Sequence, residues 1–378
     1  MQHVLKIVFI TGSLQPGCDG VGDYTRLLAG ELIRRGSRVG IIALNDFFIK
    51  EELNSVQLCG LLEIPLLRLP SFLTMKERFK KAKTWIDDFD PEWLSLQYVP
   101  FSYHSKGLPF GLSRKLVWLG KGKRWHVMFH ELWVGMNVRA STKEILWGKL
   151  QRVIICSLVT HLKPSIIHTH SQLYQKQLMN CRIDASLLPL FTNIPPTDAL
   201  PEQLIGMLKK EKPNTWVLFG TIHPGAPVEF FANEVSELVR EGMVLSSLTI
   251  VGRCGTEQEY WAHVWKDAGL VINILGEQSS EQISLIMSRA SLGIVTTPAA
   301  LAEKSGAVAA MLSHNLPVLC VSKFWKPPVH LLVEPPSGVM EYIPGNLKAC
   351  LQKRQIIDSS NTVANVSRQF VDSILGTF

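Results

Sequence analysis

Charge is scarce in this sequence, and long apolar runs are missing. Charged residues make up 19% of the 378 residues, below the roughly 25% of an average soluble protein, which excludes a highly charged disordered chain. Tracts such as Val153 to Val159 fall well short of the ~18 apolar residues that a membrane-spanning helix needs. Met1 to Ile10 has no small-residue cleavage site and runs straight into a strand-like pattern, so it is not read as a signal peptide. The seven cysteines are scattered, with no Cys-x-x-Cys pair. Neither a disulfide framework nor a zinc knuckle is expected, and the chain reads as reduced and cytoplasmic. Solenoid repeats, a Walker loop, a nucleophile elbow and a kinase signature are all missing. So are zinc-finger spacing and an aromatic RNA-binding signature, so nucleic acid is not an expected partner.

What the sequence does have is a large apolar fraction, 46%. At roughly 100–200 residues per domain, the length implies two domains. Charge divides between them. Residues 1–195 carry 25 Lys and Arg against 15 Asp and Glu, and residues 196–378 carry 14 against 17. The basic residues are densest in Lys76 to Lys83 and in Arg114 to Arg124. Phe72, Leu73, Phe79 and Trp85 accompany the first cluster, and Leu116, Trp118 and Leu119 the second. Basic and large apolar groups together suit an anionic membrane surface; a solvated helix face is the plainer reading.

Short β-rich runs alternate with helical stretches, which argues for parallel strands joined by helical crossovers. In the first half the expected strands are Val4 to Ile10, Arg38 to Ala43, Trp93 to Tyr98, Trp125 to Phe129, Ser165 to Thr169 and Ser186 to Pro189. The expected helices are Gly22 to Arg35, Thr74 to Asp88, Thr142 to His161 and Gln172 to Asn180. Phe191 to Asn214 holds four prolines and little strand character, as a linker does. The rhythm then restarts with strands at Trp216 to Gly220, Leu248 to Val251, Val271 to Leu275, Leu292 to Val295 and Pro317 to Val321. Helices fit Val228 to Arg240, Glu257 to Ala268, Glu281 to Arg289 and Lys304 to Ser313. Thr256 with Glu259 and Ser279 with Gln282 have capping-box spacing. The expected fold is therefore α/β, with two Rossmann-like domains facing across a cleft. The domains are residues 1–195 and 215–355, with a linker at 196–214. Residues 356–378 are expected to form a C-terminal helix packing back on the first domain. Ligands of such sheets bind outside the carboxyl ends of the strands.

Five segments at strand ends could carry chemistry. Gly17 to Tyr24 (GCDGVGDY) is glycine-rich and opens a helix, where backbone amides favour an anion; Thr25 stands where a third glycine of the dinucleotide pattern would fall. Met128 to Gly135 (MFHELWVG) puts His130 and Glu131 just past a strand. His168 and His170 share one strand face, a spacing that a metal could use, but no acidic or cysteine ligand is near in sequence and no metal is expected. Leu218 to Pro227 (LFGTIHPGAP) places His223 and Gly225 in a loop before a helix. Leu301 to Met311 (LAEKSGAVAAM) opens a helix with Ser305, Gly306 and Ala307 beside Lys304, an arrangement suited to a diphosphate. Asp88-Phe89-Asp90 has the DxD spacing of a metal chelator but sits at a helix end before Pro91, and is set aside. Each segment also has a structural reading, as a tight turn, a helix cap or close helix–sheet packing.

The order of these motifs resembles the GT-B glycosyltransferases, particularly the retaining family 4 group, over most of the chain from the GVGDYT loop to Asn315 to Val321. The GVGDYT loop resembles the loop that meets donor phosphate and acceptor, which implies Gly20 and Gly22 on the donor and Asp19 on the acceptor side. His130 matches a histidine that contacts the donor sugar. Ile272 to Pro298 is similar to the nucleotide-base strand, helix and following strand, with Gly276 and Glu277 near the base; Leu248 to Gly255 resembles the strand and glycine turn before it. Two departures stand out. The usual two glutamates eight positions apart are replaced by Ala302 and Ala310, with Glu303 one residue off the first. The usual Arg and Lys after the first strand of the C-terminal domain are also missing, since Thr221 and Ala226 or its neighbours stand there.

The resemblance implies sugar transfer from a nucleotide diphosphate sugar to a hydroxyl acceptor, with retention of configuration, no metal and no further cofactor. Lys304, Ser305 and Gly306 are expected on the diphosphate, helped by Arg253, Gly20 and Gly22. His130 and Glu303 are expected at the sugar as the catalytic groups, His223 at the cleft, and Gln97 and Tyr98 on the acceptor side. The expected acceptor is a glycan or lipid-linked saccharide, and the expected location is cytoplasmic and peripheral at the inner face of the membrane, as in polysaccharide biosynthesis. Three alternatives stay open: a non-catalytic GT-B scaffold or partner protein, a nucleotide-sugar epimerase, and a non-enzymatic nucleic-acid binder, which rests only on the sequence pI of about 9.0.

Overall fold

A computed structural model describes residues 4–196, 214–243 and 247–376. Most of the expected linker, residues 197–213, lies outside them. The chain divides into two compact units. One comprises Met1–Pro189, Pro328–Leu331 and Val363–Phe378, the other Leu190–Pro327 and Leu332–Thr362.

The first unit is built on a sheet with strand order β3-β4-β2-β1-β5-β6-β7-β8. These strands are β1 (Lys6–Thr11), β2 (Arg38–Asp46), β3 (Leu53–Cys59), β4 (Leu62–Pro70), β5 (Trp93–Tyr98), β6 (Arg124–Phe129), β7 (Ile166–Thr169) and β8 (Ser186–Leu187). All neighbours pair in parallel except the β3–β4 hairpin. That hairpin has no counterpart in the sequence-based expectation. β3 alternates half-buried Ser55, Gln57 and Cys59 with exposed neighbours, and β4 carries Pro65 and Pro70, which weaken a strand signal. Asp46 closes β2 as a buried anchor. Its carboxylate takes the Arg68 guanidinium at 2.7 Å and the amides of Leu14 and Phe48 at 3.1 and 3.0 Å.

Helices α1 (Gly20–Arg34), α2 (Met75–Phe89), α3 (Pro100–Tyr103), α4 (Leu112–Leu119), α5 (Thr142–Leu162) and α6 (Gln172–Met179) make the connections. Right-handed crossovers put α2, α4 and α5 on one face of the sheet, and α4 packs against both α2 and α5. Capping boxes open α2 (Thr74, Glu77) and α5 (Ser141, Glu144). The other face is covered by α1 and the C-terminal helix Val363–Leu375, whose Phe370 ring lies 5.9 Å from that of Phe9.

α5 corrects the expectation from apolar runs. It is a described helix long and apolar enough to cross a membrane by length and composition, with a mean hydropathy of 1.2 over 18 residues. Polar residues interrupt its apolar character in sequence, so no continuous run betrays it. Its inner stripe, Gly148, Gln151, Ile155, Leu158 and Leu162, is buried.

The second unit has a parallel sheet with strand order β11-β10-β9-β12-β13-β14. The strands are β9 (Thr215–Phe219), β10 (Ser247–Val251), β11 (Ile272–Gly276), β12 (Leu292–Val295), β13 (Val318–Cys320) and β14 (Val339–Glu341). The order reverses between β9 and β12, the switch point where doubly wound sheets bind ligands. Phe231 centres an aromatic core with Trp216, Trp261, Trp265 and Tyr342, at centroid distances of 5.1–6.5 Å. The capping box of Ser279 and Gln282 is formed. That of Thr256 and Glu259 is not: Thr256 already has helical dihedrals (φ −67°, ψ −24°) and makes no cap bond, so its hydroxyl cannot reach back over the first turn.

Candidate functional site

In the first unit, a chain of six polar side chains runs from the middle of β5 and β6 to the residues just past β6 and β7. Ser95 and Gln97 share one face of β5 by the two-residue period. His126 on β6 and His168 on β7 belong to the same network, and His130 and His170 continue it one residue past their strands. His168 Nδ1 lies 3.1 Å from His126 Nε2, and His126 Nδ1 lies 2.7 Å from Ser95 Oγ. Ser95 Oγ accepts from Gln97 Nε2 at 2.8 Å. Gln97 Oε1 meets His130 Nε2 at 2.8 Å, and His130 Nδ1 meets His170 Nε2 at 2.9 Å. The chain ends where His170 Nδ1 donates to the Leu188 carbonyl at 2.9 Å. All six side chains belong to residues at most 6% exposed, so every bond matters to stability.

Two elements roof this chain. Phe370 of the C-terminal helix meets His126 edge-on at 5.0 Å, and Tyr24 of α1 meets His130 and His170 edge-on at 5.1 and 5.2 Å. Burial pushes His168 down to about 4, and burial together with neighbouring His168 holds His126 well below the ordinary histidine value. Both rings are neutral at pH 7. The outer pair differs. Between Gln97 Oε1 and the Leu188 carbonyl, three hydrogen bonds need three protons, and two neutral imidazoles hold two. With Gln97 so oriented, the His130–His170 pair shares one positive charge. A half-turn of the Gln97 amide makes the pair neutral, with the Ser95 hydroxyl donating to Gln97. Beside this pair, the buried Ser171 hydroxyl has no hydrogen-bond partner among the described residues.

The structure therefore joins Gln97 to His130 and separates Gln97 from Tyr98. The expected acceptor-side pair is split because consecutive strand residues point to opposite faces. Tyr98 packs against Tyr103 and Phe129, and burial pushes its phenol far above the usual value. Both ring nitrogens of His130 are engaged within the protein. His126 and Ser95 were missed because, inside a strand, a polar residue gives no sign of which neighbour it meets.

The glycine-rich loop is filled by its own residues. Asp19 caps α1, accepting from the Val21 and Gly22 amides at 3.0 and 3.3 Å and from the Ser13 hydroxyl. A Cβ at Gly22 would lie 2.8 Å from the Ser13 carbonyl oxygen, so this glycine serves close packing. Gly20 faces open space. The helix terminus that suggested an anion site is thus already satisfied by Asp19.

In the second unit the strand-order switch gathers several expected residues. Gly220 ends β9 at φ +90°, where a Cβ would lie 3.3 Å from that of Ala307. Thr296, just past β12, accepts from the His223 amide at 2.8 Å and donates to the Thr221 carbonyl at 3.1 Å. Burial, then Lys323, then Lys304 hold His223 below the ordinary histidine value, so both lysines act on this loop. Lys304 ends a 3-10 turn, Ala299–Lys304, that also holds Glu303. Ser305 then caps the helix Gly306–Ser313, its hydroxyl accepting from the Val308 amide, and Gly306 faces open space. Lys323, a basic residue just past a strand, is a site member that the sequence reading passed over. Arg253 and Glu277 pair at 2.8 Å at the ends of β10 and β11, both exposed. Gly276 ends β11 at φ +63°, its carbonyl accepting from the Gly252 amide at 2.8 Å.

No protein-family model and no curated protein matches the chain. Solved structures do. Anabaena HepE in complex with UDP and glucose is 14% identical and covers 99% of this chain and 97% of its own, with a TM-score of 0.56. This is the GT-B fold. A glycosyltransferase from Rickettsia africae is 13% identical over 100% of this chain and 94% of its own, with a TM-score of 0.56. The UDP-GlcNAc 2-epimerase from Methanocaldococcus jannaschii is 12% identical over 98% and 99%, with a TM-score of 0.58. At these identities the likeness lies in the fold.

Proposed function

We propose that this protein transfers a sugar from a nucleotide diphosphate sugar to a hydroxyl acceptor. The observation that carries the reading is the cationic edge at the strand-order switch of the second unit. There Lys323 lies against Gly225 in the His223 loop, and Lys304 ends the turn that leads into the N-terminus of the helix Gly306–Ser313. Two cations and a helix N-terminus suit a departing diphosphate, whose charge grows as the bond to the sugar breaks. The fold supports the reading, because structures that share it include one with UDP and glucose and one named a glycosyltransferase.

In this reading the bond from the sugar's anomeric carbon to the diphosphate oxygen breaks, and the acceptor oxygen takes that carbon. The acceptor proton leaves with the diphosphate, so no protein base is required and configuration is retained. Lys304, Lys323, Ser305 and Gly306 hold the diphosphate; Arg253, Gly276 and Glu277 line the nucleotide side. Glu303 meets the sugar hydroxyls. Any contact of the buried His130 with a ligand requires it to give up a bond to Gln97 or His170. The acceptor is a glycan or a lipid-linked saccharide, met at the cytoplasmic face of a membrane.

The test is a thermal-shift panel of UDP, GDP, ADP, TDP and CMP with their sugar nucleotides. A ligand at ~100 times its dissociation constant stabilises by roughly 2.7 kcal/mol. One base is expected to stabilise selectively, and Lys304→Ala or Lys323→Ala to weaken that base at least tenfold. If none of them shifts the melting temperature, the reading fails. The epimerase alternative has the same fold behind it. A sugar nucleotide inverted at carbon 2 without any acceptor present would decide for it.

A further inference from the structure

Residues 93–183 hold 13 Lys and Arg against two acids, Glu131 and Glu144. This stretch builds α3, α4, α5 and α6, and it also exposes large apolar side chains. On α5, Leu146, Leu150 and Val153 follow the i, i+4, i+7 spacing of one helix face, with Ile145 beside them. This stripe is opposite the buried one, Gly148, Gln151, Ile155, Leu158 and Leu162. α5 is therefore apolar on its outer side as well as its inner side, with Val153 65% and Leu146 57% exposed. On the adjoining α4, Val117 and Trp118 are exposed too, Trp118 by 50%. Exposed Arg114, Lys121, Lys143 and Lys149 stand among these groups. The single acid of α5, Glu144, is held by the Ser141 amide and hydroxyl, both at 2.7 Å.

We propose that the α4–α5 face docks the protein on an anionic lipid surface, with the apolar side chains in the interfacial layer and the basic ones on the headgroups. Charge decides among occupants. A second copy would set two basic faces against each other. A nucleic acid backbone would answer the charge but give Trp118, Leu150 and Val153 nothing to bury against. An anionic bilayer answers both. α5 lies flat on this face and does not cross, because its inner stripe is already core. The proposal deepens the sugar-transfer reading by placing the acceptor at a membrane, and rests on it for that alone. Its test contains no nucleotide, so its failure leaves sugar transfer untouched.

The full chain is sedimented with vesicles of phosphatidylcholine alone and with phosphatidylglycerol added, at low and high salt. Binding to the anionic vesicles alone, weakened by salt, is expected. Leu150→Glu with Val153→Glu should cut partitioning roughly tenfold or more, and Lys143→Gln with Lys149→Gln by a similar factor. Both pairs of changes are at exposed positions, and unchanged melting temperatures confirm intact folding. Leu61→Glu, at the tip of the β3–β4 hairpin and fully exposed, should leave partitioning unchanged. Four results overturn the proposal: no sedimentation with anionic vesicles; equal sedimentation with neutral ones; equal weakening by Leu61→Glu; or loss of a dimer or of RNA binding in Leu150→Glu with Val153→Glu while sedimentation persists.

Discussion

Acid should destabilise the first unit through His168, and the size of the effect follows from its burial. His168 is held at about 4 by desolvation, against 6.5 for an exposed histidine. Between these values the unfolded chain binds a proton at position 168 that the folded protein refuses. Stability therefore falls as pH falls through this window. From pH 8, the loss reaches ~2 kcal/mol at pH 5 and ~3 kcal/mol at pH 4. His126, lowered for the same reason with His168 as a further cause, adds in the same direction. The perturbation is His168→Gln, which keeps an amide to meet His126 Nε2 and cannot titrate. Urea unfolding of both proteins at pH 7, 6 and 5 supplies the readout, and comparison at equal pH cancels the unchanged second unit. Between pH 7 and pH 5 the wild type should lose about 2 kcal/mol more than the variant. Equal losses in the two proteins would refute the reasoning, as would a His168 ring that titrates near 6.5 by NMR.

Other expectations follow from single contacts. Arg68→Met leaves the fully buried Asp46 carboxylate unpaired and should cost about 3–5 kcal/mol in a thermal melt, most of it recovered when Asp46→Asn is added. Gly148→Ala puts a Cβ 2.1 Å from the Val134 carbonyl oxygen and should cost ~1–3 kcal/mol or more, because backbone cannot step aside. Ser279→Ala breaks a formed capping box and should cost about 1 kcal/mol, whereas Thr256→Ala, with no cap bond to lose, should stay within ~0.5 kcal/mol. Gln97→Glu sets an anion against His130 Nε2. It should hold the extra proton on the His130–His170 pair to higher pH, seen as a charged ring in long-range proton–nitrogen NMR; a pair that stays neutral contradicts the proton count.

Much of the fold was legible in residues 93–98, 292–295 and 228–240, where strand and helix patterns are local and matched the structure to the residue. Ser279 with Gln282 was equally local, since both partners lie within one turn. The β3–β4 hairpin was not legible, because its prolines and polar alternation make sense only beside β2. The same limit governed the candidate site. The strand-end positions of His130, His170 and His223 followed from the sequence, since a polar residue after an apolar run marks the edge of a sheet. Their partners did not. Gln97 and His130 are 33 residues apart, His126 and His168 are 42 apart, and strand order alone makes them neighbours. Lys323 and Lys304 both bear on the His223 loop that follows β9, and Phe370 reaches His126 through the return of the last helix. Local pattern determined the elements and the ends at which chemistry sits. Which side chains share a proton, a charge or an apolar face was decided by pairing across the sheet, a long-range choice that no short stretch of sequence encodes.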